Sequence, residues 1–167
     1  MLKAEQLLRM LGIKPKGDGV NRLSLALPNG SRIVGLPGKD DRIRGLSKVS
    51  LLLIDEAGRV TEDLYKSLMP MLAVGNGDMW LLSTPCGKRG FFYENWEYGG
   101  DKWFRMSVPA TECARIPKEF LEEQRSAMGV QWFRQEYMCC FVDGTGTVFG
   151  RDLVEAALDE SVEPLDV

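Results

Sequence analysis

Two acids stand side by side at Asp55 and Glu56, directly after the aliphatic run Leu51-Leu52-Leu53-Ile54. An apolar run without alternation fits a strand covered on both faces, and the carboxyl end of such a strand is where open α/β sheets bind ligands. One carboxylate there can hold Mg²⁺ through its water shell while its neighbour orients and deprotonates an attacking water. Adjacent strand positions point opposite ways, so the two acids need not share one task. The competing reading is an ordinary solvated strand end. A second constellation, Ser83-Thr84-Pro85, follows a second apolar run, Met79-Trp80-Leu81-Leu82. Its hydroxyls would emerge at the same sheet edge and can bond a γ-phosphate or the lytic water; taken alone, the same residues make a simple hydroxyl-stabilised turn. Arg42 and Arg44 lie in the charged loop before the acidic run. A planar guanidinium suits phosphoryl oxygens, and inserted into a neighbouring subunit's site it can be worth about 10³–10⁵ in rate. The alternative is a solvated basic loop, and the same bland reading serves for Lys88 and Arg89.

Absences narrow the chemistry. The 167 residues contain no histidine. That excludes Ser-His-Asp and Cys-His catalysis, metal helices of the H-E-x-x-H kind and imidazole-ligated zinc. A phosphate-binding loop needs G-x-x-x-x-G-K-[S/T]. Gly38-Lys39 is followed by Asp40 and preceded at that spacing by Ile33; Gly87-Lys88 is followed by Arg89 and preceded by Leu82. Neither pair qualifies. With 21 basic and 24 acidic residues the net charge is −3, so bulk electrostatics do not make this a nucleic-acid-binding arm. The longest aliphatic run is four residues, far short of the roughly 20 that span a bilayer, and no secretory signal is visible. Cys86, Cys113, Cys139 and Cys140 include no C-x-x-C and read as reduced, mostly buried thiols of a cytosolic protein.

The elements that must position these residues follow from patterning. Apolar residues at 44 % and charged residues at 27 % are ordinary globular values, and a chain this long can bury roughly 70 % of its unfolded surface. Residues 4–11 read as a helix with Leu7, Leu8 and Leu11 on one face, stopped by Gly12. Residues 13–22 read as a loop. Asn29-Gly30 between two apolar runs, 23–27 and 31–36, signals a hairpin. Thr61 is an N-cap for a helix buried through Leu64, Leu68, Met69 and Leu72, which Pro70 kinks or ends. Residues 91–96 read as an aromatic helix and 103–108 as a third strand. Two helices follow at 117–128 and 131–140, then a short strand at 147–149 and a helix at 152–158. Strands alternating with helices predict an α/β sheet with parallel strands.

The strings SRIVGLPGKDDRIRGLSKVSLLLIDEA, LLSTPCGKRGFFYENW, PATECARIPKEFLEEQR and WFRQEYMCCFV occur in that order. Together they resemble the large terminase subunit of tailed bacteriophages, the DNA-packaging motor, over about residues 23–149. The resemblance implies an ATPase domain with a P-loop-NTPase-like (ASCE) sheet, incomplete here because the Walker A strand and loop are absent. It implies Asp55 as the Walker B aspartate that binds Mg²⁺, Glu56 as the catalytic glutamate, and both with Ser83 and Thr84 as nucleotide-binding. Ser83-Thr84-Pro85 would be the motif coupling hydrolysis to movement, and Arg44 a trans-acting finger. It implies residues 1–108 as the later part of the ATPase domain, 109–142 as lid and linker helices, and 143–167 as the approach to an absent nuclease domain. Expected cofactor and substrate are Mg²⁺ and ATP. Expected partners are double-stranded DNA, a portal, a small terminase subunit and further copies in a ring, in the cytoplasm of a bacterial host, with no membrane. Without Walker A the chain alone should hydrolyse little or no ATP, and the second apolar strand should expose an edge prone to aggregation or pairing. A helicase-like ATPase fragment shares the D-E-A and S-T-P signatures, and a non-catalytic prophage remnant or interaction module fits the missing Walker A.

Overall fold

A computed structural model describes residues 2–17, 23–36, 38, 46–143 and 156–157. The chain divides into two compact units, Met1–Leu46 and Ser47–Val167. Arg42 and Arg44, the short strand at 147–149 and most of the helix at 152–158 lie outside the described residues.

In the first unit, helix α1 (Leu2–Met10) ends as its sequence requires. Gly12 takes φ 76°, its N–H donates to the Arg9 carbonyl at 3.0 Å, and the Ile13 N–H donates to the Leu8 carbonyl at 2.9 Å. That pair of bonds closes the helix, and glycine reaches the required left-handed conformation at little cost. None of the helix's residues is buried: of its leucine stripe, Leu7 and Leu11 are exposed and Leu8 is half-buried. Strands β1 (Lys16–Gly17), β2 (Ser24–Ala26) and β3 (Arg32–Val34) form an antiparallel sheet in that order. The expected hairpin is β2–β3. Its loop has three residues, with Gly30 at φ 85° and Leu27 and Ser31 pairing across it at 2.8 Å. β1 falls in the stretch read as a loop, because two residues are too short to show an alternation.

The second unit carries the acidic and hydroxyl motifs. Strands β4 (Leu51–Asp55) and β5 (Asp78–Leu82) pair in parallel, with Leu51 opposite Asp78 and Asp55 opposite Leu82. The crossover contains a 3₁₀ turn at Ala57–Arg59 and helices α2 (Glu62–Leu68) and α3 (Pro70–Ala73). Thr61 caps α2, accepting from the Leu64 N–H, and Pro70 opens α3 where its missing N–H costs nothing. Leu52 and Ile54 are buried, as are Leu68, Met71 and Leu72 from the crossover. Among the described residues, nothing buries the opposite face of the sheet. Leu51, Leu53, Trp80 and Leu82 are between 44 and 57 % exposed, and Leu53 lies opposite Trp80. The continuous apolar run therefore predicted two covered faces where, among the described residues, only one is covered. Residue chemistry shows that a face is apolar; it does not supply the layer that covers it.

Helix α4 (Gly90–Tyr98) buries Phe91, Phe92 and Tyr93. Phe91 stacks on Tyr65 of α2, centroids 4.0 Å apart, and Phe141 packs against Phe92, Tyr93 and Trp96. Residues 103–108 form no strand, although they alternate like one. A strand needs a ladder partner, and here Arg105 instead fixes the local chain by donating to the carbonyls of Asn95, Trp96, Gly100 and Trp103. Helices α5 (Lys118–Met128) and α6 (Val130–Met138) meet at Gly129 and bury Leu121 and Phe133. All four cysteines are unpaired, and all are half-buried rather than buried.

The entry into β5 is tight. A β-carbon on Gly77 would collide with the Val49 carbonyl oxygen and stand 3.0 Å from Leu72 Cδ2. Gly77→Ala should lower stability by about 1–3 kcal/mol through overpacking. Urea unfolding checks this; an unchanged midpoint would mean that the backbones do not approach so closely.

Candidate functional site

The parallel register brings both motifs to one sheet edge. Asp55 ends β4 opposite Leu82, the last residue of β5, so Asp55-Glu56 and Ser83-Thr84 leave the sheet together. Backbone conformation then directs each side chain. Asp55 Oδ1 accepts the Glu56 N–H at 3.0 Å. Glu56 takes φ 53° and ψ 37°, a left-handed conformation that costs a residue with a β-carbon roughly 1–2 kcal/mol. It turns the chain sharply into Ala57–Arg59, where Ala57 is buried and the Arg59 N–H donates to the Glu56 carbonyl at 2.8 Å. Strain of this sort is characteristic of functional turns. Glu56→Gly should be more stable than Glu56→Ala by about 1 kcal/mol, since both lose the side chain and only glycine relaxes the turn. Matched thermal melts decide it; equal stabilities would mean that the turn imposes no such conformation.

The two turns are fastened directly. The Gly58 N–H donates to Ser83 Oγ at 3.1 Å, and Ser83 Oγ donates to the Thr84 carbonyl at 2.6 Å. A β-carbon on Gly58 would sit 3.1 Å from Ser83 Oγ and from the Thr84 carbonyl oxygen, so the close approach depends on glycine. Pro85 is buried behind them.

Arg59 adds a network that sequence reasoning missed. Its Nη1 donates to Glu56 Oε2 at 2.7 Å and to Thr84 Oγ1 at 3.2 Å, and its Nη2 donates to Glu136 Oε1 of α6 at 3.0 Å. Thr84 Oγ1 donates in turn to Glu136 Oε2 at 3.4 Å. Burial works against the guanidinium's charge, but the carboxylates of Glu136 and Glu56 outweigh it and hold the group above its ordinary value. Arg59 therefore stays charged at any working pH. The spacing of three between Glu56 and Arg59 was a legible clue. Glu136 lies 77 residues from Arg59 and offered none.

Among the described residues, no three acids or thiols gather to hold a metal. The donors present are instead one or two exposed carboxylates with hydroxyls beside them. That set suits Mg²⁺, which keeps several waters and takes substrate phosphates rather than an all-protein cage. Lys88 is not simply solvated: its Nζ lies 3.8 Å from Asp143 Oδ2. An apolar cleft lined by Ile13, Leu27 and Pro28 belongs to the first unit and contains none of these residues.

Residues 4–156 match the family described as terminase large subunit, T4likevirus-type, N-terminal. The ATPase domain of the Thermus phage P74-26 large terminase is similar in structure, at 22 % identity and a TM-score of 0.62, over 84 % of this chain and 68 % of that one. A mutant of that domain with one arginine replaced by alanine is similar at 20 % identity and a TM-score of 0.64, over 84 % and 69 %. No curated protein matches by sequence. The family match takes in both motifs and leaves the helicase-like reading without support. The chain belongs to the terminase large-subunit family of DNA-packaging motors and carries a substantial part of the N-terminal ATPase fold.

Proposed function

We propose that the edge formed by Asp55, Glu56, Ser83 and Thr84 is the hydrolytic half of a Mg²⁺–ATP site in a DNA-packaging motor. Asp55 would hold Mg²⁺, and Glu56 would orient and deprotonate the attacking water. Ser83 and Thr84 face the γ-phosphate, and buried Pro85 fixes the shape of their turn. Mg²⁺, when bound, neutralises charge on the phosphates. The observation that supports this reading is the direct bond between the turns, Gly58 N–H to Ser83 Oγ at 3.1 Å, through which a change at the hydroxyl motif would reach the residues beside Glu56.

No Walker A sequence occurs in these 167 residues, so a complete site would need a phosphate-binding loop from outside them. The chain alone should therefore show negligible ATP turnover. Arg44 acts on a neighbouring subunit's nucleotide within a ring. Residues 109–142 serve as lid and linker, and the assembled motor works with double-stranded DNA, a portal and a small terminase subunit in the host cytoplasm. Among the described residues, no helix is long and apolar enough to cross a membrane.

The test is divalent-ion binding. Mn²⁺, which substitutes for Mg²⁺ and is detectable by electron paramagnetic resonance, should bind the chain weakly, and Asp55→Asn should weaken it at least about tenfold, the scale on which loss of one ionic contact acts. Equal binding by Asp55→Asn would remove Asp55 from the site and favour a non-catalytic module.

A further inference from the structure

We infer that Arg59 is a positioning residue that ties the acid edge to helix α6 and governs how freely Glu56 can act; this deepens the function just proposed and rests on it. One guanidinium serves three groups. Nη2 holds Glu136, while Nη1 is shared between Glu56 and Thr84. The anchoring is uneven. The Glu136 side chain is 27 % exposed and is also bonded by Thr84 and Gln135, whereas the Glu56 side chain is 64 % exposed. Glu136 is thus the fixed end and Glu56 the adjustable one. Two carboxylates competing for one cation are coupled: loosening either tightens the other. A shift of α6 that withdrew Glu136 would commit Arg59 to Glu56 and make that carboxylate a poorer base. A firmer grip by Glu136 would leave Glu56 free. Thr84 reports on both, because its hydroxyl accepts from Arg59 and donates to Glu136. Lysine cannot reproduce this, because a point charge lacks the planar fork that reaches two acids at once.

The coupling predicts opposite signs for the two halves of one ion pair. In the 167-residue chain, Arg59→Gln should tighten Mn²⁺ binding at the acid edge about two- to fivefold, because a competing cation is gone. Glu136→Gln should weaken it by a similar factor, because Arg59 turns wholly to Glu56. Loss of packing alone would move both variants the same way, and that result would overturn the inference. Hydrogen exchange supplies a second readout that needs no metal. Amides of 130–138 should exchange about two- to fivefold faster in Arg59→Gln, Glu136→Gln and Arg59→Lys, with 51–55 unchanged. Unaltered exchange in 130–138 would show that Arg59 does not hold α6 and would likewise overturn it. Should the wild-type chain bind no Mn²⁺, the magnesium role of the acid edge fails, and the exchange comparison alone decides the role of Arg59.

Discussion

In a packaging motor that joins this acid edge to a phosphate-binding loop, Glu56→Gln should cut ATP turnover by about 10²–10⁴-fold, the usual worth of a positioned general base. Nucleotide affinity should not change. Glutamine keeps the shape of glutamate and can still orient a water, but it cannot take a proton. Asp55, the residue assigned to the metal, is untouched. The substitution also leaves the left-handed turn as strained as before and removes only a surface ion pair between Glu56 and Arg59, whose side chains are 64 and 44 % exposed. Such pairs contribute about 0–1 kcal/mol, so folding should be nearly unaffected and the loss of turnover can be read as chemistry. Equilibrium nucleotide binding and single-turnover hydrolysis on the same preparation separate the steps. A large drop in affinity would make Glu56 a ligand rather than a base.

Two large aromatic residues of the same unit should differ sharply in what their truncation costs. Phe91→Ala should cost about 3–5 kcal/mol, the range for deleting a buried phenyl ring. Phe91 is 5 % exposed and stacks on Tyr65, and Asn95 bonds both the Phe91 carbonyl and the Tyr65 hydroxyl. Its loss empties the layer between α2 and α4 that backs the acid turn. Trp80→Thr should cost less than about 1 kcal/mol, because more than half of Trp80 already meets water and threonine suits a strand. Urea denaturation of both variants measures the contrast. A Trp80→Thr cost as large as that of Phe91→Ala would mean that the bare face of β4 and β5 is covered in solution.

What could be read in advance was whatever depends on near neighbours or on simple strand direction. Gly12 as a helix stop, Thr61 as a cap, the hairpin around Gly30 and the break at Pro70 are each set within a few residues. The meeting of Asp55 with Ser83 was legible for a different reason: two apolar strands joined by a helical crossover run parallel, so their ends share an edge. What escaped prediction depends on the third dimension. No pattern announces that Glu56 is left-handed; that follows from the turn needed to carry Ala57 into the core. The Arg59–Glu136 pair joins distant segments and appears only once α6 is packed. The bare side of β4 and β5 and the unpaired stretch 103–108 both carry the chemistry of strand interiors without the neighbours that would make them so.

The most direct measurement is a titration of the ¹⁵N-labelled chain with Mn²⁺–ATP, followed by paramagnetic broadening of its amides. The expected result is that 55–59 and 83–86 broaden together and before the rest, as they would if acids and hydroxyls border one metal–triphosphate position. Broadening of only one of these stretches, or broadening centred elsewhere in the chain, would contradict a shared site.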